Sequence, residues 1–248
     1  MSGIAIQTKE LTKRYNEKTA VDHIGLTVYE GELFALLGAN GAGKTTTIRM
    51  LSCLSTPTEG CAEVFGHDVT KEAGEVKSLT GISTQDTAVA ENLTVEENLS
   101  FMANIHLGEK ADKDSVQKKT DEMIALFHLE EVRKKRAKTL SGGWQRKLSI
   151  AMAIITEPKV LYLDEPTLGL DVLSRRQLWQ EIMKLKTKMT IILTTHYMEE
   201  AEALADRIAV MLDGKIAALG TLAELEEKTG KKGMEEVFIA IAMEGGAL

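Results

Sequence analysis

The chain contains few aromatic residues, prolines and cysteines, the residue types that mark several specialised protein classes. Of its 248 residues only 4% are aromatic, three are prolines and two are cysteines, which indicates neither a disulfide scaffold nor a proline-rich segment. Cys53 and Cys61 flank a turn, without a second cysteine pair or histidines at ligand spacing. We expect reduced structural thiols there, rather than a metal site or a disulfide.

Long apolar runs and an excess of positive charge are also missing. No apolar stretch approaches the length of a membrane span, and residues 1–4 lack the basic and apolar regions of a signal peptide. We therefore expect any membrane role to require another chain. Acidic residues exceed basic ones, 37 against 30, for a net charge of -7. No overall field attracts nucleic acid, so a nucleic-acid ligand is not expected.

One glycine-rich stretch organises the rest of the chain. Residues 38–45 read GANGAGKT, which fits the phosphate-binding pattern G-x-x-x-x-G-K-[ST]. An apolar run at 33–37 leads into it and a helical pattern follows it. The glycines let backbone amides close around phosphate oxygens, Lys44 can reach the β- and γ-phosphates, and the Thr45 hydroxyl can ligate magnesium. The sequence predicts a site for magnesium and a nucleoside triphosphate, without separating ATPase, GTPase and kinase.

Polar side chains close two strand patterns further along. The apolar run at 160–163 ends in Asp164 and Glu165, the form expected of a buried parallel strand that meets an active site. Asp164 would hold magnesium through water, and Glu165 would polarise a water against the γ-phosphate. Such residues can also cap a helix, but Pro166 follows directly, which favours a site. His196 ends the next strand pattern, and we interpret it as a γ-phosphate donor.

Three further positions have two interpretations from the residues alone. Tyr15 can stack on a nucleotide base or be a partly buried surface aromatic. Gln85 can direct its carbonyl at the magnesium or the attacking water, or simply cap a strand. Ser141, followed by two glycines and an apolar helix, offers either a second anion-binding helix start or an N-cap without a ligand.

The periodicity of the remaining segments predicts the fold class. Residues 4–28 alternate apolar and polar side chains, which indicates antiparallel strands. Helical patterns run from a capping box at Thr94 and Glu97, and the basic run at 133–136 is interpreted as a solvated helix face, with a phospholipid or nucleic-acid contact as the alternative. Residues 206–219 predict a hairpin. We expect an α/β fold with a P-loop NTPase core and mainly parallel sheet, an antiparallel β subdomain and an inserted helical subdomain.

Five elements in one order resemble the nucleotide-binding subunit of an ABC transporter. They are the loop at 38–45, Gln85, Ser141 to Gly143, Asp164 and Glu165 followed by Asp171, and His196. The resemblance covers nearly the whole chain and implies a single domain over 1–248. It implies a core with the β subdomain at 1–85 and 158–220, a helical subdomain with the signature helix at 86–157, and a C-terminal extension at 221–248, which opens on a second capping box at Thr221 and Glu224.

The resemblance also implies a role for each matching position, with ATP and Mg²⁺ as cofactors. Tyr15 is implied to stack on adenine, and Gln85 to couple magnesium to the membrane partner. The residues implied to hold the phosphates are Gly38, Ala39, Asn40, Gly41, Ala42, Gly43, Lys44, Thr45 and Thr46. The implied magnesium residues are Thr45, Gln85 and Asp164.

Hydrolysis is implied to need two copies of the chain. The segment of Ser141, Gly142 and Gly143 would bind the γ-phosphate of ATP held by a second copy, and Asp171 would lie at the dimer contact. The catalytic residues implied are Glu165 as base, His196 as γ-phosphate sensor and Gln85. A head-to-tail homodimer, or a paired ATPase subunit, around two ATP is therefore expected.

One departure from the family pattern is Trp144, because the residue after the two glycines is usually glutamine. Whether this position contacts the ribose of the nucleotide is therefore an open question. Residues 141–150 and 195–202 are similar to the branch of antibiotic-resistance exporters, sodium extrusion pumps and A-type lipid exporters. This favours an exporter subunit that is cytoplasmic and peripheral on the inner face of the membrane through a transmembrane permease. The alternatives are an importer subunit, which would share every site residue, and a soluble ABC protein of translation or DNA repair.

Overall fold

A six-stranded sheet forms the centre of the computed structural model, which describes residues 3–108 and 111–244. Its order is β11-β10-β4-β9-β8-β7, and every neighbouring pair is parallel except β10 and β11. The strands are β4 Leu33–Leu37, β7 Thr80–Ser83, β8 Val160–Asp164, β9 Thr190–Thr195, β10 Arg207–Leu212 and β11 Lys215–Gly220. All residues of β4, β8 and β9 are buried, as continuous apolar runs require in a sheet covered on both faces.

A second sheet is antiparallel throughout and has the order β2-β1-β5-β6, with β3 paired to β1. Its strands are β1 Ile4–Tyr15, β2 Lys18–Ile24, β3 Thr27–Tyr29, β5 Glu59–Val64 and β6 His67–Asp68. The antiparallel strands predicted for residues 4–28 are therefore confirmed. Ile6 and Val21 of this sheet share one apolar core with Phe34 and Ile48. The second sheet consequently packs close to the start of the helix that follows β4.

Helices cover the central sheet and extend it on one side. They are α1 Lys44–Leu51, α2 Ala73–Leu79, α3 Val95–Leu107, α4 Lys113–Leu126, α5 Gly142–Ile154, α6 Val172–Leu185, α7 Met198–Leu204, α8 Leu222–Thr229 and α9 Met234–Glu244. Leu99, Ile124 and Leu148 join α3, α4 and α5 in one core. Both predicted capping boxes, at Thr94 and at Thr221, are present. The predicted α/β fold class is confirmed, and each helix among the described residues is too short or too polar to span a bilayer.

The basic run at 133–136 differs from its prediction as a solvated helix face. It lies between two short 3-10 turns, and its carbonyl groups accept hydrogen bonds from the amides of Val95 and Glu96. The side chains of Arg133 and Lys134 pair with the carboxylate of Glu96. The helical prediction was wrong because this carboxylate, in the first turn of α3, draws the basic side chains into a tertiary contact.

Candidate active site

The glycine-rich loop joins the middle strand of the central sheet to α1. Gly43 is the N-cap residue of α1 and has a φ of 101°. A Cβ on Gly43 would lie 2.5 Å from the carbonyl oxygen of Ala20, and a Cβ on Gly38 would lie 2.5 Å from that of Met211. Glycine is therefore required at both ends of the loop by close backbone approach. The amides at the start of α1 face an open space that anions favour.

Lys44 directs its ammonium group back across the loop. Its Nζ donates to the carbonyl oxygens of Gly38 at 2.7 Å and Ala39 at 3.2 Å, and lies 3.2 Å from Oε1 of Glu165. The residue is only 5% exposed. A buried cation of this kind needs a charged partner, and Glu165 is the carboxylate that supplies it.

Asp164 sits at the end of β8, beside the start of α1. Thr45 Oγ1 donates to Asp164 Oδ1 at 2.9 Å, and Thr194 Oγ1 donates to the same oxygen at 2.6 Å. Asp164 is 3% exposed. A hydroxyl and a carboxylate that meet at one point are hard oxygen donors, which suit a magnesium ion. The donor set present therefore fits the metal that the sequence predicts.

Glu165 connects Lys44 with His196. Its Oε2 lies 2.5 Å from His196 Nδ1, and its backbone has a φ of 51°, which is uncommon for a residue with a Cβ. The amide of Glu165 donates to the carbonyl and to Oγ1 of Thr194, which holds this conformation. Two neighbouring parallel strands, β8 and β9, thus present a carboxylate and an imidazole to each other at their carboxyl ends. Such strand ends are where α/β sheets place ligands.

Lys44, Thr45, Glu165 and His196 border one cavity of about 480 Å³, a size typical of small-molecule sites. Its lining residues are Tyr15, Lys18, Ala20, Asn40, Gly41, Gly43, Lys44, Thr45, Thr46, Gln85, Glu165, Leu168 and His196. Most of the predicted phosphate, base and catalytic positions therefore meet in one place. Lys18, Ala20 and Leu168 were not predicted to be there, because nothing in their local sequence distinguishes them from ordinary strand and turn residues.

The predicted positions at 141–143 and 171 lie elsewhere in the chain. Ser141 occupies the N-cap position of α5 but its side chain makes no capping hydrogen bond. Ser141 and Gly143 border a separate cavity of about 110 Å³ whose lining residues are all absent from the first cavity. Asp171 caps α6, and the hydroxyl and amide of Ser174 hold the pKa of its carboxyl below the usual range. Within one chain, these residues do not join the phosphate loop.

Arg146 is a structural link that sequence reasoning missed. Its guanidinium donates to the carbonyl oxygens of Thr84 at 2.6 Å and Gln85 at 2.7 Å, so α5 holds the loop that carries Gln85. Burial lowers the pKa of this guanidinium below its usual value. The available signal was its helical spacing, because Ser149 and Ile150, three and four positions further along α5, are buried on the same side.

Comparison with known proteins agrees with this geometry. The profile of the ABC transporter family matches residues 21–168, which is more than half of the chain. The chain belongs to the ABC transporter family. As an ATP-binding subunit of an ABC transporter, it carries the ATPase domain of that family, and membership implies ATP hydrolysis.

Individual relatives confirm the branch that the sequence predicted. The ABC subunit is 44% identical to the daunorubicin/doxorubicin resistance ATP-binding protein DrrA of Streptomyces peucetius, over 91% of this chain and 68% of that protein. It is 39% identical to the human phospholipid-transporting ATPase ABCA3 over 91% of this chain, but this covers only 13% of ABCA3. A solved dimeric ATP-binding cassette in a post-hydrolysis state, bound to ADP and Pi, is 25% identical with a TM-score of 0.80, over 88% of this chain and 98% of that one.

Proposed function

We propose that this chain binds and hydrolyses ATP to power export through a separate transmembrane permease, on the cytoplasmic face of the cell membrane. The observation that carries the proposal is the meeting of Lys44, Thr45, Glu165 and His196 at one cavity, with Asp164 hydrogen-bonded to Thr45. Export is supported by relatives named for drug resistance and phospholipid transport. The chain would act as one domain with the subdivisions that the sequence predicts.

Phosphate binding would begin at the loop. The amides of residues 38–46 and the N-terminus of α1 would surround the triphosphate, with Lys44 as its mobile cation. A γ-phosphate would replace Glu165 as the partner of Lys44, since both are anions within reach of the same ammonium group. Tyr15, which is 46% exposed at the rim of the cavity, would stack on the adenine ring.

Magnesium would be held by Thr45 and Asp164, with Gln85, which lines the same cavity as Thr45, as a third ligand. A bound magnesium ion supplies charge neutralisation at the β- and γ-phosphate oxygens. Thr194 would keep the Asp164 carboxylate in place through its 2.6 Å hydrogen bond. Gln85, held through its carbonyl by Arg146, would transmit the state of this site to the permease.

Hydrolysis would use Glu165 as the general base. Once Lys44 engages the phosphate, Oε1 of Glu165 is available to polarise water, while Oε2 stays beside His196. His196 faces Glu165 through Nδ1, and in its imidazolium form it would donate through Nδ1 to Glu165 and through Nε2 to the γ-phosphate. The proton removed from water would pass to the carboxylate of Glu165. The hydrogen bonds from the Glu165 amide to Thr194 hold this residue in place.

A second copy would complete each site. Ser141, Gly142 and Gly143 present a helix start whose serine hydroxyl is not used for capping, in a cavity apart from the phosphate loop. In a head-to-tail dimer, this segment would face the γ-phosphate held by the other copy, and Asp171 would lie at the contact between the copies. Two ATP molecules would then be enclosed between the two chains.

The test is purification of the tagged chain from detergent-solubilised membranes, followed by measurement of phosphate release from magnesium-ATP. We expect an integral membrane protein to copurify and Lys44→Ala to abolish hydrolysis. Overexpressed without a permease, the chain should stay out of the carbonate-resistant membrane fraction. Integration into membranes without a partner, or wild-type hydrolysis by Lys44→Ala, would overturn the proposal.

A further inference from the structure

Behind the candidate site lies a buried carboxyl that the proposed mechanism does not use. Glu200, in the first turn of α7, has no exposed surface. Its Oε1 accepts a hydrogen bond of 3.0 Å from the indole Nε1 of Trp179 on α6. Its Oε2 is buried and has no hydrogen-bond partner among the described residues, and the same holds for Oγ1 of Thr167. Unpaired buried polar atoms are rare in native proteins and call for an explanation.

The surroundings of Glu200 favour its neutral form. Burial raises the pKa of the carboxyl, and the negative charge of Glu165 acts in the same direction. The hydrogen bond from Trp179 and the nearby side chains of Thr195 and Thr167 act in the opposite direction without cancelling this shift. A neutral carboxyl has an O–H donor as well as an acceptor, so it can bind an indole N–H and a hydroxyl oxygen together.

The neighbours of this carboxyl belong to the two segments that carry the reacting groups. Thr167 follows Glu165 by two residues, and Thr195 directly precedes His196. At the cavity, the same two segments meet through the 2.5 Å contact between Glu165 and His196. The carboxyl of Glu200 has Thr195 and Thr167 among the groups that act on it, so it lies close to both segments.

We propose that Glu200 is a positioning residue, whose buried carboxyl packs between the segments of Thr167 and Thr195 and so holds Glu165 against His196. The inference rests on the proposed role of Glu165 and His196 in hydrolysis. Glu200 does not touch the nucleotide cavity, so it acts on the rate of the chemical step and not on ATP binding. Its unpaired oxygen and that of Thr167 are the two groups through which this coupling is made.

Substitutions separate positioning from simple packing. Glu200→Leu removes the polar bridge, and we expect kcat to fall at least about tenfold with the KM for ATP nearly unchanged, because a misplacement of 1 Å can cost about 10²-fold. Glu200→Gln keeps a neutral group that both donates and accepts, and should restore kcat. Glu199→Leu, in the same turn but on the exposed side, is the matched control and should behave as wild type.

Thr167→Val is the decisive second variant, because it removes a hydroxyl that has no partner in the structure and keeps the side-chain shape. If Thr167 had a purely structural role, the midpoint temperature of thermal unfolding would be unchanged or higher and kcat would be normal. Positioning predicts an unchanged midpoint with a lower kcat. Wild-type kcat in both Thr167→Val and folded Glu200→Leu, or equal losses in Glu200→Gln and Glu200→Leu, would overturn the proposal.

Hydrogen exchange gives a readout that does not depend on hydrolysis. Peptides covering 165–171 and 195–201 should exchange faster in Glu200→Leu than in wild type, and at the wild-type rate in Glu200→Gln. If wild type bound no ATP, the proposed function would fail while this comparison would still decide the role of Glu200. Unchanged exchange of both peptides in Glu200→Leu would refute the positioning role.

Discussion

The helix starts of α1 and α5 offer the same kind of backbone surface but have different surroundings. At α1, the first residues Lys44 and Thr45 meet Glu165 and Asp164, so charged side chains from β8 complete the site. At α5, the residues around Gly143 are Leu170, Ser174 and other side chains that bring no carboxylate. One helix start lies in a cavity of about 480 Å³ and the other in one of about 110 Å³.

This difference is what we would expect if the two helix starts are halves of separate sites, as the proposed dimer requires. The α1 half has a cation, a magnesium-binding oxygen pair and a base candidate within one chain. The α5 half has amides, a serine hydroxyl that makes no capping hydrogen bond, and Lys147, but no carboxylate lines its cavity among the described residues. In the proposed dimer, the other copy would bring the phosphate to this helix start. The predictions below test each half and the link between them.

The largest effect should come from the α1 half, through Glu165→Gln. This change keeps the size and hydrogen-bonding capacity of the side chain but removes the charge that polarises water. Turnover should fall by about 10²- to 10⁴-fold while ATP binding survives. Phosphate release and binding of a fluorescent ATP analogue measure the two effects separately. Near-wild-type hydrolysis would assign the base elsewhere, with His196 as the next candidate.

The next effect concerns the α5 half. Ser141→Arg places bulk and charge at the helix start and should reduce hydrolysis by about 10²-fold, as removal of a transition-state donor commonly does. Trp144→Gln should change hydrolysis far less, because in the proposed dimer the amides of Gly142 and Gly143 and the Ser141 hydroxyl bind the phosphate. Steady-state hydrolysis of the two variants provides the comparison. Equal losses would show that Trp144 itself contacts the nucleotide.

The α1 half could be predicted from the sequence in more detail than the α5 half. Residues 38–45 carry a pattern whose glycines have one physical purpose, and apolar runs that end in Asp164 or His196 place those residues at one sheet edge. Ser141 was correctly placed at a helix N-cap, but its lack of a capping hydrogen bond depends on tertiary contacts. The roles predicted for these residues are still predictions.

The residues that sequence reasoning missed are ordinary in their local context. Thr194 looks like one more β-branched strand residue, yet its hydroxyl binds both Asp164 and the amide of Glu165. Arg146 and Glu200 look like exposed charges on helices, yet both are buried. Their partners are distant in sequence, so even the helical spacing that places Arg146 on the buried side of α5 does not reveal what it binds. The basic run at 133–136 was misread for the same reason, since Glu96 lies 37 positions away from Arg133.

A smaller effect, on stability, should come from Arg146, which links α5 to the loop that carries Gln85. Arg146→Met keeps much of the apolar stem but removes the donors to the carbonyls of Thr84 and Gln85. We expect the free energy of unfolding to fall by about 1–3 kcal/mol, the usual cost of unmade buried hydrogen bonds. Lys147→Met, at the next position of α5, should change it by less than about 0.5 kcal/mol. Urea denaturation of both variants tests this, and equal stabilities would remove Arg146 as a link.

The smallest effect lies outside both halves, at Glu96. Hydrogen bonds from Arg133 and then Lys134 lower the pKa of this carboxyl to about 2. A lowered pKa stabilises the fold above the unfolded-state value, and this contribution is lost as the pH falls from about 4.5 toward about 2. The stability difference between wild type and Glu96→Gln should therefore shrink across that range. A difference that does not vary with pH would rule out this ion pair as its source.

The proposed pairing of the two halves is tested most directly by the mass of Glu165→Gln in solution. Size-exclusion chromatography with light scattering should give a monomer of 27.2 kDa without nucleotide and twice that mass with magnesium-ATP. Adding Lys44→Ala or Ser141→Arg to the same chain should abolish the shift, because each change disables one half. A Glu165→Gln chain that binds ATP yet stays monomeric, or a dimer that persists with Ser141→Arg, would contradict the account.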